Sequence, residues 1–160
     1  KRFGVGAFDL DRNGCDYRND TLRRDLTTKQ LRETTPVCVV ERGSLVDPYT
    51  GTEVSFVRGA NPSPIEIDHV VALSDAWQKG AQQWPDEKLV QFGNDPRNLI
   101  AVSRGANRSK GDSDAATWLP PNKAFRCTYI ARQVEVKSAY DLAVTPAEKA
   151  AMARTLASCT

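Results

Sequence analysis

The stretch Ile65-Glu66-Ile67-Asp68-His69-Val70-Val71, read with Asn98-Leu99-Ile100-Ala101-Val102 and Ser103-Arg104-Gly105-Ala106-Asn107-Arg108-Ser109-Lys110, decides the fold. Its first segment is β-branched with alternating polar positions, the composition of a strand. Its second is a short apolar run with Asn98 at its head, which reads as a second strand. Ser103 stands where a helix N-cap belongs, so a helix is expected from about Arg104. Between the strands, Ser74 ahead of Ala76, Trp77 and Ala81, and then Pro85 through Phe92, read as two packing helices. Strand, insertion, strand and helix together predict a mixed α+β domain.

Working outward, Asp9 to Asp20 is polar and turn-forming, and Leu22, Leu26 and Leu31 lie at roughly helical spacing, which predicts a helix from Thr21 to about Arg32. Pro36 ends it. Val37–Val40 and Thr52–Val57 then read as strands flanking the turn Asp47-Pro48-Tyr49-Thr50-Gly51, an N-terminal β-hairpin. Toward the C-terminus, Asn122 to Leu142 and Thr145 to Ser158 read as helices. The second opens on Thr145-Pro146-Ala147-Glu148, a capping box with proline at the first helical position. Trp77, Trp84 and Trp118 each have apolar neighbours and are read as core residues. No repeat or low-complexity tract interrupts the chain.

At 160 residues the chain suits a single domain, 1–160. We divide it into a core motif at 65–112, an N-terminal extension at 1–60 and C-terminal helices at 120–160. An apolar content of 40%, a charged content of 26% and a net charge of +2 describe an ordinary globular protein. That balance permits a polyanionic partner through a local basic patch without requiring one. No run is long and apolar enough to span a bilayer, and the opening Lys1-Arg2-Phe3-Gly4 lacks a signal-peptide apolar region, so a soluble, mature or trimmed form is expected. Cys15, Cys38, Cys127 and Cys159 form no C-x-x-C pair, and one histidine is too few for a Cys/His zinc site. Two disulfides are therefore expected. Of the three pairings, placement favours Cys15–Cys38 and Cys127–Cys159, and with them a secreted or extracytoplasmic location.

The single histidine concentrates general-base chemistry on His69. By itself such a residue is more often structural, but its neighbours are chemical. Asp68 precedes it, and the helix that follows the second strand offers the amide of Asn107 and the cation of Lys110. Consecutive strand residues face opposite ways, so Asp68 and His69 can serve one site only where the strand ends or bends. Carboxylate and amide oxygens are hard donors that suit a magnesium-like ion. Glu66 shares the face of Asp68 by alternation and is read first as a salt-bridge partner.

The three blocks Asp68-His69-Val70-Val71-Ala72-Leu73, Asn98-Leu99-Ile100-Ala101-Val102 and Asn107-Arg108-Ser109-Lys110 closely resemble the HNH nucleases. They most resemble a bacterial secreted branch related to the nuclease domain of GmrSD-type restriction enzymes. Gly14-Cys15-Asp16, Asp47-Pro48-Tyr49-Thr50-Gly51, Trp118-Leu119-Pro120-Pro121 and Cys127-Thr128-Tyr129 resemble it too, so the likeness covers most of the chain. The resemblance implies a ββα-metal (His-Me finger) core and a metal-dependent endonuclease, a hydrolase of phosphodiester bonds. In that reading His69 is the general base, Asp68 and Asn107 hold one divalent ion, Mg or Mn, and Asn98 orients the histidine. Lys110 is the third catalytic position, and Arg104 and Arg108 contact the substrate. The partner is a nucleic acid, DNA favoured over RNA. With no zinc finger or reader domain, little sequence preference is expected, and no membrane and a monomeric state are expected as well. Asn107 stands where the family's name places a second histidine.

Asp9, Asp11, Asn13 and Gly14 follow the spacing of a calcium loop, with Asp20 at its twelfth position. A structural calcium held by Asp9, Asp11, Asn13 and Asp20 is set against a plain exposed turn, because the loop ends in Asp where Glu is usual. The alternative to the enzyme is an inactive nucleic-acid-binding or calcium-binding extracellular module.

Overall fold

The computed structural model describes residues 2–6, 9 and 11–159. Regular structure begins with α1 (Tyr17–Asp25), capped by Asp16, whose carboxylate accepts the Asn19 N–H at 2.7 Å. β1 (Thr27–Leu31), β2 (Val40–Val46) and β3 (Glu53–Val57) form an antiparallel sheet in that order. β4 (Ile65–His69), α2 (Leu73–Gln78) and α3 (Asp86–Gly93) lead through a 3-10 turn, Pro96–Asn98, to β5 (Leu99–Ser103) and α4 (Arg104–Lys110). α5 (Arg126–Ala139) and α6 (Pro146–Ala157) complete a single α+β domain.

Several expectations shift. The helix foreseen from Thr21 to Arg32 starts earlier and stops at Asp25, and β1 takes over from Thr27. The β-branched pair Thr27-Thr28 is poor helix material. Leu31 matched the helical spacing because β1 carries it to the same apolar cluster as Leu22 and Leu26. The hairpin is present, but its first strand runs from Val40 to Val46 where Val37–Val40 was expected, and β1 makes a third strand. Ser74 lies inside α2, whose N-cap is Ala72 without a side-chain bond. Asn98 closes the 3-10 turn, one residue before β5. A short 3-10 turn, Lys123–Phe125, delays α5 to Arg126.

Other elements follow the sequence closely. Ser103 caps α4 by accepting the Ala106 N–H at 3.3 Å, and Thr145 and Glu148 form the reciprocal capping box of α6. Phe3 and Phe92 ring Trp77 and Trp84 in one core cluster, while Trp118 stacks edge-on against Tyr49 and Tyr129 in another. The disulfides are Cys15–Cys38 and Cys127–Cys159, closing separations of 23 and 32 residues. The first ties the segment before α1 to that before β2, and the second joins the start of α5 to the end of the chain. Loop closure of this length restricts the unfolded chain by about 3–4 kcal/mol per bridge.

β4 and β5 pair antiparallel with Asp68 opposite Ile100 and His69 opposite Leu99. α4 packs back against both strands. Ile65 and Ala101 face a cluster shared with α1 and the three-stranded sheet, while Val70, Ile100 and Val102 face α5 and α6. The pair is thus buried on both sides, which fixes where its last residues project.

Candidate active site

β4 ends at His69, and Asn98 sets that end. Fully buried, Asn98 accepts the Val71 N–H at 2.7 Å through Oδ1, donates from Nδ2 to the Val71 carbonyl at 3.0 Å, and accepts the Val70 N–H through its own carbonyl at 2.9 Å. These bonds turn the chain out of the strand just past His69. Asp68 and His69, on opposite faces in a regular strand, therefore both line one open cleft of about 540 Å³ with Glu66, Ser74, Asn107 and Arg108.

His69 Nε2 lies 2.8 Å from the Gly93 carbonyl. A carbonyl only accepts, so Nε2 carries the proton and Nδ1 keeps a free lone pair. Nδ1 has no hydrogen-bond partner among the described residues. Gly93 can hold its carbonyl there because it lacks a side chain: a Cβ would meet the Phe3 carbonyl oxygen at 2.5 Å.

Burial pushes the imidazole below its ordinary value of 6.5 and the Lys110 charge adds to this, against the Gly93 bond and Asp68, which pull it up. The sign follows directly. An imidazole lowered below 6.5 is mostly unprotonated at neutral pH; were it the general base of a hydrolysis, the acid limb of kcat/KM would lie below pH 6.5. The same group costs stability on acidification. The unfolded chain takes up the proton first as pH falls through 6.5, and the loss is complete once the pH is below the folded value.

Asp68 is held from behind. Its Oδ2 accepts from the Tyr49 hydroxyl at 2.5 Å and from Lys110 Nζ at 2.7 Å. The Lys110 ammonium also donates to the carbonyls of His69 at 2.6 Å and Val70 at 3.0 Å. Lys110, the third catalytic position implied by the resemblance, is only 1% exposed and lies beneath the strand end with three acceptors filled. Burial lowers its pKa and Asp68 opposes that shift; burial and the Asp68 charge raise the Tyr49 hydroxyl well above its ordinary value. Oδ1 of Asp68 has no partner among the described residues. Asn107 is arranged alike: its Nδ2 donates to Glu66 Oε1 at 2.8 Å, which turns Oδ1 free.

Glu66 also pairs with Arg108 at 2.9 Å. Burial alone would raise its carboxyl, but the bonds from Arg108 and Asn107 hold it below the ordinary range. Arg108 stands at the cleft, whereas Arg104 has no ion pair among the described residues and is not part of the cleft lining. Tyr49, Gly93 and Glu66 thus support the site. Of these only Glu66 was weighed from sequence, as a salt-bridge partner, although Tyr49 sits in the Asp47-Pro48-Tyr49-Thr50-Gly51 turn that carried part of the resemblance.

Two acidic groups lie elsewhere. Asp75, Asp114 and Glu148 bring one oxygen each within 4.8 Å of one another. Lys79 fills their centre, bonding Asp75 at 2.6 Å and Glu148 at 2.5 Å, and Lys137 bonds Glu148 at 2.7 Å. Burial would lower the Lys79 ammonium, yet Asp75 and Glu148 hold it above its ordinary value. This is an ion network joining α2, α5 and α6 in which lysines occupy a cation's place. Near the N-terminus, Asp9 accepts the N–H groups of Asn13 at 3.1 Å and Gly14 at 2.6 Å, and Asn13 Nδ2 donates to Asp11 and Asp20 at 3.0 and 2.9 Å. The four predicted calcium ligands are therefore neighbours, and the hydrogen bond with Asp9 raises the Asp11 carboxyl.

A carboxylate braced from behind, an imidazole with an unengaged Nδ1 and a free amide oxygen meet at one open cleft of an α+β domain. The chain belongs to the family of the GmrSD restriction endonucleases, C-terminal domain, whose model matches residues 16–155. A protein of Arthroderma benhamiae described as an uncharacterized secreted protein is 40% identical over 147 residues, covering 91% of this chain and 68% of its own. The family is thus not confined to the bacterial branch that the sequence resembled. No solved structure matches. The two disulfides fit an oxidising, extracytoplasmic environment, and among the described residues no helix is long and apolar enough to cross a membrane.

Proposed function

We propose that this chain is a secreted, metal-dependent endonuclease of the ββα-metal type that hydrolyses nucleic-acid phosphodiesters, with DNA the favoured substrate. The observation that carries the reading is the set of uncommitted atoms at one cleft: His69 Nδ1, Asp68 Oδ1 and Asn107 Oδ1. Family membership and the secreted relative support it.

His69 Nδ1 takes the proton from a water as it attacks phosphorus, while the Gly93 carbonyl keeps the ring in the tautomer that allows this. Asp68 Oδ1 and Asn107 Oδ1 are hard oxygen donors fit to hold one magnesium or manganese ion. A bound divalent ion supplies Lewis-acid stabilisation of charge on the phosphate and on the departing 3′ oxygen. Asn98 aims the histidine by fixing the strand end. Lys110 and Tyr49 hold Asp68 with Oδ1 outward and act as positioning residues. Arg108, and Arg104 beside it on α4, attract neighbouring phosphates. Products carry 5′-phosphate and 3′-hydroxyl ends.

The test is a metal titration of plasmid cleavage with the non-reduced protein and Asn107→Ala. Loss of one of two protein ligands is expected to raise the magnesium concentration for half-maximal activity by about 10–100-fold, an effect of the size seen when metal sites lose support. An unchanged requirement would remove Asn107 from the metal site. The Asp9, Asp11, Asn13 and Asp20 loop is proposed as a separate calcium site that stabilises α1 without turnover. Calcium is expected to raise Tm in the wild type and not in Asp9→Asn/Asp11→Asn, as read by thermal unfolding.

A further inference from the structure

β5 pairs with β4 along one edge only, and side chains close its other edge. Asp25 accepts the Ala101 N–H at 2.9 Å, while the Leu99 carbonyl accepts from both Arg24 and Arg132. Arg24 also donates to the Pro96 carbonyl at 2.9 Å and Arg132 to the Arg97 carbonyl at 3.0 Å. Guanidiniums from α1, the 3-10 turn and α5 therefore gather at one open cleft of about 640 Å³, whose apolar wall includes Leu45, Ile100 and Ala101.

The charges do not balance. Arg24 pairs with Asp25 and Arg97 with Asp95, but both side chains stay 41% and 45% exposed, with donors to spare. Arg132 has no carboxylate in ion-pair range among the described residues and is bonded only to backbone carbonyls. Among the described residues Asp25 is the single acidic one lining the cleft, and Arg24 and the Ala101 N–H already engage it. Two guanidiniums on one carbonyl repel each other, and a partly buried cation without a counterion gains most from an anion.

We infer that this cleft is a second, separate anion site that binds a phosphate group, anchored by Arg132 and flanked by Arg24 and Arg97. Several planar forks around one opening suit the multiple oxygens and charge of phosphate better than those of a single carboxylate. The site lies along β5, whereas Asp68, His69 and Asn107 sit on β4 and α4. A ligand here leaves the metal-holding oxygens untouched, so the inference stands apart from the nuclease reading.

The test is isothermal titration of the non-reduced protein with inorganic pyrophosphate in chelator at low salt. Saturable binding is expected, weakened about tenfold or more by Arg132→Gln and clearly by Arg97→Gln, and unaffected by Arg154→Gln on the exposed face of α6. Where Arg132→Gln does not fold, the half-exposed Arg97→Gln carries the comparison. Competition by a short DNA oligonucleotide would identify the ligand as a nucleic-acid backbone; pyrophosphate binding that the oligonucleotide leaves intact would identify a free phosphate compound. Absence of saturable binding, binding that Arg132→Gln and Arg97→Gln both leave unchanged, or binding that Arg108→Gln abolishes and so places at the other cleft would overturn the inference.

Discussion

Replacing His69 by Ala is expected to lower kcat/KM for plasmid cleavage by about 10²–10⁴-fold, the usual worth of a positioned general base. The loss should not come from unfolding. Among the described residues His69 makes one side-chain bond, to the Gly93 carbonyl, while the strand end is fixed by Asn98 and Lys110. Circular dichroism and thermal unfolding of the variant are thus expected to resemble the wild type, and retention of full activity would remove the base from this position. Imidazole added to the variant offers a second readout, because a missing proton acceptor can be replaced from solution whereas a missing structural contact cannot.

Lys110→Met has the opposite signature. It leaves the buried Asp68 carboxylate with Tyr49 alone and strips a donor from the carbonyls of His69 and Val70. Breaking a buried ion pair by removing one partner costs about 3–5 kcal/mol. In a domain of this size that corresponds to a fall in Tm of about 10 °C. A variant that loses activity with Tm unchanged would return Lys110 to a catalytic role, as the family resemblance implies. The two variants therefore separate chemistry from support: the first silences a folded protein, and the second loosens the frame that aims Asp68.

The strand–strand–helix motif was legible because its signals are local. Alternation in Ile65 to Val71, the apolar run from Leu99 to Val102 and the cap at Ser103 each need only their neighbours. The disulfides were legible from position, since each pair holds one end of the chain. α1 was misread for a physical reason: Leu22, Leu26 and Leu31 do share a cluster, but Leu31 reaches it from a strand, and spacing alone cannot tell the two routes apart. The support of the site was least legible. Tyr49 meets Asp68 across 19 positions, Gly93 meets His69 across 24 and Glu66 meets Asn107 across 41. Nothing local marks such contacts. The burial of Lys110 was hidden likewise, because a lysine at the end of a short polar helix reads as solvated until that helix packs on β4.

Asp68, His69 and Asn107 are proposed to form a metal-dependent phosphodiesterase site. Its most direct test is conversion of supercoiled plasmid by the non-reduced wild-type protein with magnesium, with manganese and with chelator alone, alongside an RNA substrate. The account predicts nicked and linear DNA with 5′-phosphate ends when magnesium or manganese is present and intact plasmid in chelator. Unchanged DNA and RNA under every metal, or cleavage that persists undiminished in chelator, would contradict it.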